Sequence, residues 1–325
     1  MAETYSAQKL VVDSIETVRL MDSAHGMEVS ICPSIGNIAY DVRVKDQPIV
    51  MGPPQSLGEW IQKPSQAGIP FLGPWANRLD GDAYWANGKR YQLNPAAVEI
   101  RRDDNRLPIH GLLLFASAWK VVQTQGDGQG AQVTSRLEFW KHPEWMAQFP
   151  FAHTISMTHR LYGGILEVRT SIENHSTDPM PLVIGFHPWY HMPGAPRDQW
   201  QLHLPVREHY LLSDKLIPTG KTEPDNFPDP MPLAGRQLDD VFGGVNSNAE
   251  FALEANGRKI SVKFGPKFPI AVVYAPHTRD VVCFEPMTGL TNGFNLAHEG
   301  LFKNLQSVAP GGSWTESFWV RPSGF

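Results

Sequence analysis

The sequence predicts an all-β protein, a large antiparallel β-sandwich or barrel. Its 325 residues include 28 Gly and 28 Pro, and aromatic residues make up 10% of the chain. Many turn residues together with many large rings are typical of short strands joined by hairpins. No window of about 12 residues repeats apolar side chains at helical spacing; the best candidate for a short helix is Leu296–Leu305. Because the chain contains no internal repeat and no convincing linker, we expect a single domain spanning residues 1–325.

Extended segments alternate with turns along the chain. Asn87–Gly88, Gly163–Gly164 and Asn256–Gly257 each separate two such segments, and these dipeptides indicate hairpins. In Ile165–Asn174 apolar and polar residues alternate, which is typical of a half-buried strand. In order, the chain is predicted to hold strands at Thr17–Leu20, Glu28–Cys32 and Ile38–Val42, a loop at 51–68, a hairpin at Tyr84–Tyr91, strands at Trp119–Gln125, Gln132–Trp140, Thr154–Tyr162, Ile165–Asn174 and Pro181–Ile184, a surface excursion at Pro218–Pro232, and strands at Phe251–Glu254, Lys259–Phe264, Ile270–Tyr274, Val281–Phe284 and Thr315–Val320.

The composition argues against several classes of function. The net charge is −5 and no basic block occurs, so nucleic acid is not an expected partner. No apolar run approaches the roughly 18 residues of a membrane span, and Met1–Val12 lacks the apolar core of a signal peptide. Cys32 and Cys283 stand in no disulfide or metal motif. We therefore expect a cytoplasmic protein with reduced thiols and no membrane partner.

One histidine stands between restrained neighbours. The apolar run Pro181–Ile184 predicts a buried strand that leads into Gly185, Phe186, His187 and Pro188. Because proline pushes the residue before it into extended geometry, His187 stands at a strand end with a restrained backbone. An imidazole held in this way can act as an acid or a base, but it can equally be a core histidine that hydrogen-bonds to a backbone carbonyl.

Other polar side chains also lie in apolar or restrained surroundings. Glu285 follows the apolar run Val281–Phe284 and precedes a proline. Burial raises the pKa of a carboxyl group, which suits a general base near neutral pH; the alternative is a glutamate that faces solvent at a strand end. The remaining members of this set are Asn77, Arg78, His110, Asp239 and Asp240. The set contains a base, possible acids and groups that can bind hydroxyls.

Several reaction types find no support in the sequence. The motif G-x-S-x-G of acyl transfer, the zinc motif H-E-x-x-H and the phosphate-binding patterns G-x-x-x-x-G-K and G-x-G-x-x-G are all absent. We therefore expect no metal site. Asp239 and Glu285 could act as the paired carboxylates of a glycosidase, but that hypothesis leaves the histidines as spectators.

Six motifs in order resemble those of the aldose 1-epimerase (galactose mutarotase-like) family. They are Gly73-Pro74-Trp75-Ala76-Asn77-Arg78-Leu79, Ile109-His110-Gly111, Gly185-Phe186-His187-Pro188-Trp189-Tyr190, Leu238-Asp239-Asp240-Val241-Phe242, Phe284-Glu285-Pro286 and Ala309-Pro310-Gly311-Gly312-Ser313-Trp314. The resemblance extends along most of the chain. In the fourth motif, Asp239 is the better match to the family's sugar-binding aspartate.

The resemblance implies a β-sandwich of the galactose mutarotase type and a reaction that needs no cofactor. Glu285 would take the proton from the C1 hydroxyl of a monosaccharide, an aldohexose such as glucose or galactose, while His187 donates one to the ring oxygen. The ring would open, the aldehyde end would rotate, and closure would invert the anomeric carbon. His110 would assist at the same oxygens.

The resemblance also implies which groups hold the sugar. These are Asn77, Arg78 and Asp239, and the rings of Trp75, Trp189 or Tyr190 could stack on the sugar, although core packing is the alternative for each ring.

Two alternatives for the function stay open. Arg101–Arg106 holds three arginines near the expected site, which would favour a hexose-6-phosphate 1-epimerase unless this loop is merely solvated. A non-catalytic carbohydrate-binding protein on the same fold is the other alternative.

Overall fold

Strands make up most of the ordered elements, which confirms the predicted fold class. The computed structural model describes residues 4–246 and 249–325. Its strands are β1 (Tyr5–Val12), β2 (Ile15–Asp22), β3 (Met27–Cys32), β4 (Ile38–Val44), β5 (Gln47–Pro48), β6 (Phe71–Leu72), β7 (Ala83–Ala86), β8 (Lys89–Gln92), β9 (Lys120–Asp127), β10 (Gly130–Glu138), β11 (His153–Tyr162), β12 (Ile165–Asn174), β13 (Met180–Leu182), β14 (Gly185–Phe186), β15 (Gln201–His203), β16 (Glu208–Leu212), β17 (Pro218–Pro224), β18 (Met231–Pro232), β19 (Leu238–Gly243), β20 (Glu250–Ala255), β21 (Arg258–Phe264), β22 (Ile270–Ala275), β23 (Cys283–Met287), β24 (Gln306–Val308) and β25 (Ser313–Ser323). Its helices are α1 (Leu57–Gln62), α2 (Pro143–Met146) and α3 (Gly293–His298), with 3-10 turns at Phe139–Lys141 and Arg197–Gln199.

Most of the strands belong to three antiparallel sheets. Sheet A has the order β1-β2-β3-β4-β5. Sheet B has the order β18-β15-β20-β21-β25-β12-β11-β10-β9. Sheet C has the order β17-β16-β19-β22-β23-β14-β6. Two short pairs, β7–β8 and β13–β24, complete the pairing among the described residues.

Aromatic rings join sheet B to sheet C. Phe318 of β25 lies 4.8 Å from Phe186 of β14, and Phe251 of β20 lies 5.5 Å from Phe284 of β23, between ring centroids. One face of β12 is buried, as the alternation in Ile165–Asn174 predicted. Because large rings bury much apolar area, these contacts stabilise the sandwich and hold the strands of sheet C in place.

The helices differ from the sequence prediction. Residues 51–68, predicted as a loop, contain α1, which begins with a capping box between Ser56 and Glu59 and buries Trp60. Six residues are too few to show a helical repeat. The helix predicted at Leu296–Leu305 is instead α3, and the chain leaves it at Gly300, whose φ of +76° ends a helix without strain. No helix in the described ranges is long and apolar enough to cross a membrane.

Two predicted segments need correction in sheet C. β23 runs over Cys283–Met287 rather than Val281–Phe284, so Glu285 lies within a paired strand, opposite Val272. The segment Pro218–Pro232 contains β17, which forms the largely exposed edge of sheet C, and β18, which pairs with β15 of sheet B. The surface excursion is therefore partly strand.

We expect acid to destabilise the fold through His159. Its ring is buried, and neither ring nitrogen has a hydrogen-bond partner among the described residues. Burial lowers the pKa of His159 from 6.5 to about 4. Between these values the unfolded chain binds a proton that the folded chain does not, so the free energy of unfolding falls as the pH falls. The shift corresponds to about 3 kcal/mol.

The test is to measure the free energy of unfolding in urea at a pH above 6.5 and again at a pH of about 4. The variant His159→Leu should lose less stability on acidification than the wild type. An equal loss in both proteins would contradict the assignment to His159.

Candidate active site

The candidate catalytic and binding residues of the sequence line one cleft. The cleft has a volume of about 460 Å³. Its walls include Asn77, Arg78, His110, His187, Asp239 and Glu285. Asp239 and Glu285 come from β19 and β23 of sheet C, and His187 directly follows β14 of the same sheet. The other three come from the irregular segments that follow β6 and precede β9. The fold thus brings together residues that are distant in the sequence.

Pairing within sheet C places His187 beside Glu285. Gly185 of β14 pairs with Met287 of β23, so the chain leaves β14 at His187 next to the strand that carries Glu285. A Cβ atom at Gly185 would clash with the sulfur of Met287, so the close approach requires glycine. The hydroxyl of Thr288 accepts a hydrogen bond from the Ile184 N–H at 2.9 Å and continues the connection beyond the pair.

His187 and Glu285 form a buried pair. Nε2 of His187 lies 3.3 Å from Oε1 of Glu285, and their side chains are 8% and 1% exposed. Burial is the main cause of both pKa shifts: it lowers the pKa of His187 to about 3 and raises the pKa of Glu285 well above 4.5. Nδ1 of His187 and Oε2 of Glu285 have no hydrogen-bond partner among the described residues. Both side chains line the cleft, so the pair lies beside any molecule that binds there.

His110 stands at right angles to His187. The ring centroids lie 5.3 Å apart with an interplanar angle of 88°. Burial lowers the pKa of His110 well below 6.5, and His187 and nearby arginines act in the same direction. The backbone N–H of His110 donates to the backbone carbonyl of Asn77 at 2.9 Å. Both residues have positive φ, +64° at His110 and +56° at Asn77. Non-glycine residues in this conformation are strained, and such strain is concentrated at functional sites.

The adjacent aspartates of β19 have different surroundings. Asp239 lines the cleft, and its Oδ2 lies 3.7 Å from Nη2 of Arg78. Burial raises the pKa of Asp239, and Arg78 opposes that shift. The Oδ1 atom of Asp240 lies 2.8 Å from Nε2 of His209 on β16. Because successive side chains of a strand point to opposite faces, only Asp239 is available to a ligand in the cleft.

One of the three candidate stacking rings lines the cleft. Trp189 stacks on His187, with centroids 4.9 Å apart and an interplanar angle of 15°. Trp75 and Tyr190 are fully buried and do not line the cleft, so the alternative of core packing describes them. Tyr274 does line it, and its ring meets His187 edge to face at 5.9 Å.

Sequence reasoning missed several side chains of the cleft. They include Gln66, Asp103, Leu216 and Tyr274. Tyr274 pairs with Asp239 across β19 and β22, so a correct strand register would have found it. Asp103 lay unnoticed in a charged loop, where no local pattern distinguishes it from its neighbours. Within the described residues no group of three or more His, Cys, Asp or Glu side chains is arranged to hold a metal ion.

The fold of the chain is similar to that of galactose mutarotase-like proteins. It is similar to the galactose mutarotase-like protein from Clostridium acetobutylicum, with a TM-score of 0.87, 18% identity and 99% of each chain covered. It is also similar to galactose 1-epimerase from Lactobacillus acidophilus NCFM, with a TM-score of 0.73, 15% identity, and 98% of this chain and 99% of that chain covered.

The amino-acid sequence identifies the family of the chain. The family model described as aldose 1-epimerase matches residues 17–321, and the chain therefore belongs to the aldose 1-epimerase family. The uncharacterized protein YphB of Escherichia coli K12 is 24% identical over 261 residues, which cover 77% of this chain and 82% of that protein.

We expect the substitution Gly111→Ala to disrupt the cleft. Gly111 follows His110 with a φ of +65°, and a Cβ atom there would lie 2.2 Å from the carbonyl oxygen of Gly73. The backbone at His110 must shift to relieve this clash, so both thermal stability and ligand binding should fall. Gly81→Ala is the matched control, because Gly81 also has positive φ but open space around it. Equal effects of the two substitutions on ligand binding would contradict the explanation.

Proposed function

We propose that the protein is an aldose 1-epimerase that interconverts the α and β anomers of a monosaccharide, with Glu285 as general base and His187 as general acid. The observation that carries the proposal is the 3.3 Å separation of His187 and Glu285 inside the cleft. The hydroxyl oxygen and the ring oxygen of a cyclic sugar are both bonded to C1. An acid and a base that act on them must therefore be neighbours, as these two side chains are.

The protons exchanged by His187 and Glu285 balance in both directions of the proposed reaction. In the proposed reaction the ring is opened by the ionised pair, which the bound sugar must stabilise because burial disfavours both charged forms. Burial favours instead a protonated Glu285 beside a neutral His187. This is the form that ring opening would leave behind, after Glu285 has taken the C1 hydroxyl proton and His187 has given one to the ring oxygen. Closure on the other face of the aldehyde would return both protons and restore the ionised pair.

The remaining groups would bind and orient the sugar. Asn77, Arg78 and Asp239 offer an amide, a guanidinium and a carboxylate to hydroxyl groups, and Arg78 can form several hydrogen bonds from one rigid plane. His110 lies close enough to His187 to contact the same oxygens. Trp189 and Tyr274 flank His187 and supply apolar surface to the sugar.

We expect Glu285→Gln and His187→Asn each to lower kcat by about 10²- to 10⁴-fold, the usual contribution of one acid–base group. The measurement is polarimetry or NMR of freshly dissolved α-glucose and α-galactose. Glu254→Gln, the same change at a glutamate outside the cleft, is the control and should keep full activity.

The outcomes separate the competing functions. A wild type that binds a sugar without accelerating anomerisation would indicate a carbohydrate-binding protein. Full activity of Glu285→Gln would show that another group is the base.

A sugar with an anionic substituent is the second candidate substrate, and the substituent could be a 6-phosphate. Arg101 lines the cleft and has no carboxylate ion partner in the described part of the chain. Its guanidinium lies over the ring of Phe115 at 5.9 Å, and burial lowers its pKa. Neighbouring Arg102 is paired with Asp82 at 2.8 Å. The third arginine of the loop, Arg106, does not line the cleft. Arg101 is thus the arginine of this loop that is available to an anion in the cleft.

The variant Arg101→Met tests this candidate. If the substrate is a hexose 6-phosphate, KM for that substrate should rise about tenfold or more, because a charge-assisted hydrogen bond is lost. Arg106→Met is the matched control, because Arg106 belongs to the same loop but does not line the cleft. Unchanged KM for the phosphorylated sugar, together with turnover of neutral sugars, would remove the candidate.

A further inference from the structure

Arg78 is held by a carboxylate that does not belong to the predicted set of site residues. Nε of Arg78 donates to Oδ2 of Asp103 at 2.7 Å, and the two side chains are 12% and 8% exposed. Nη1 of Arg78 donates to Oδ1 of Asn77 at 3.1 Å. Because this ion pair is largely removed from water, removal of one partner leaves the other charge buried without compensation, which costs more than at an exposed salt bridge.

The loop that carries Asp103 is itself rigid. The Leu107 N–H donates to Oδ1 of Asp103 at 2.8 Å, and the Asp103 N–H donates to the Leu107 carbonyl at 3.0 Å. The Arg106 N–H closes the turn on the Asp103 carbonyl at 2.9 Å. One carboxylate oxygen of Asp103 therefore holds its own loop, and the other is directed at Arg78.

The backbone around Arg78 is held by hydrogen bonds in which the side chain of Asp103 takes no direct part. Its carbonyl accepts a hydrogen bond from the Asn292 N–H at 2.8 Å, and the next residue, Leu79, donates to the Pro108 carbonyl at 2.9 Å. Asn292 also accepts from the Asp80 N–H at 3.0 Å. The main chain is thus held on both sides of Arg78. The contact with Asp103 therefore sets the direction of the guanidinium group.

Two carboxylates compete for this guanidinium. Asp103 contacts Nε at 2.7 Å, whereas Asp239 approaches Nη2 only to 3.7 Å. We infer that Asp103 is a positioning residue that prevents Arg78 from closing onto Asp239 and so keeps both side chains available to sugar hydroxyls. The inference rests on the proposed function in that it takes a monosaccharide as the ligand. In the absence of Asp103, the side chains of Arg78 and Asp239 would form a closer ion pair with each other. They would then offer fewer hydrogen bonds to the sugar.

The test measures sugar binding and turnover in Asp103→Asn. This variant retains an acceptor for the Leu107 N–H but removes the negative charge that attracts Arg78. We expect the Kd and the KM for the sugar to rise about tenfold, the value of a hydrogen bond to a charged group, with a smaller change in kcat. Asp103→Glu restores the charge and should recover part of the affinity. Asp82→Asn removes a different ion pair to the same loop and is the matched control, expected to bind like the wild type.

A double-mutant cycle separates positioning from loop stability. In an Arg78→Met background, Asp103→Asn should have no further effect on Kd, because the residue that it positions is gone. A further loss of affinity in that background would show that Asp103 acts through its loop and would overturn the inference. Wild-type affinity in the single variant would also overturn it. If Asp103→Asn lowers the midpoint of thermal unfolding severely, Asp103→Glu in both backgrounds supplies the cycle.

Binding and turnover distinguish this inference from the proposed function. Sugar binding that weakens in Asp103→Asn, in a protein that does not accelerate anomerisation, supports the inference and contradicts the proposed function. A wild type that binds no monosaccharide overturns both.

Discussion

The antiparallel contact between β14 and β23 is the interaction on which the cleft depends. It joins Gly185 to Met287 and so brings His187 to the strand that carries Glu285. Phe186, between Gly185 and His187, packs against sheet B through Phe318. The position of the acid–base pair is therefore set by the sandwich core, because a shift of one residue in this register would turn either side chain to the opposite face.

The cleft is locally unfavourable and is maintained by the structure around it. Asn77 and His110 adopt positive φ, which costs of the order of 1–3 kcal/mol for each non-glycine residue. His187 and Glu285 bury polar atoms that lack partners among the described residues. Burial of unsatisfied polar atoms destabilises a fold unless a ligand or water reaches them. The apolar packing of the sheets offsets these costs, and a bound sugar would supply the missing partners.

Local patterns predicted the parts of this protein that local interactions determine. The Asn-Gly hairpin turns and the alternation in β12 follow from backbone preferences and burial, and both are present. Glu285 and His187 were singled out because apolar runs and prolines surround them. Tyr274 and Asp103 could not be found in this way, because their place in the cleft depends on strand register and on a contact across loops. The helix α1 was missed because its stability comes from its cap and from buried Trp60.

Burial and the surrounding charges together influence which residue of the His187–Glu285 pair carries the proton, and burial is the larger cause. The neutral and ionised forms of the pair contain the same number of protons, so bulk pH does not choose between them. Burial favours the neutral form. Arg101 and Arg78 disfavour the imidazolium of His187, and Arg78 favours the carboxylate of Glu285, whereas Asp239 favours the protonated form of Glu285. A sugar that binds Arg78 and Asp239 would change both influences at once. Under the proposed function, substrate binding and proton placement would be coupled through Arg78 and Asp239, and Asp103, which accepts a hydrogen bond from Arg78, would take part in this coupling.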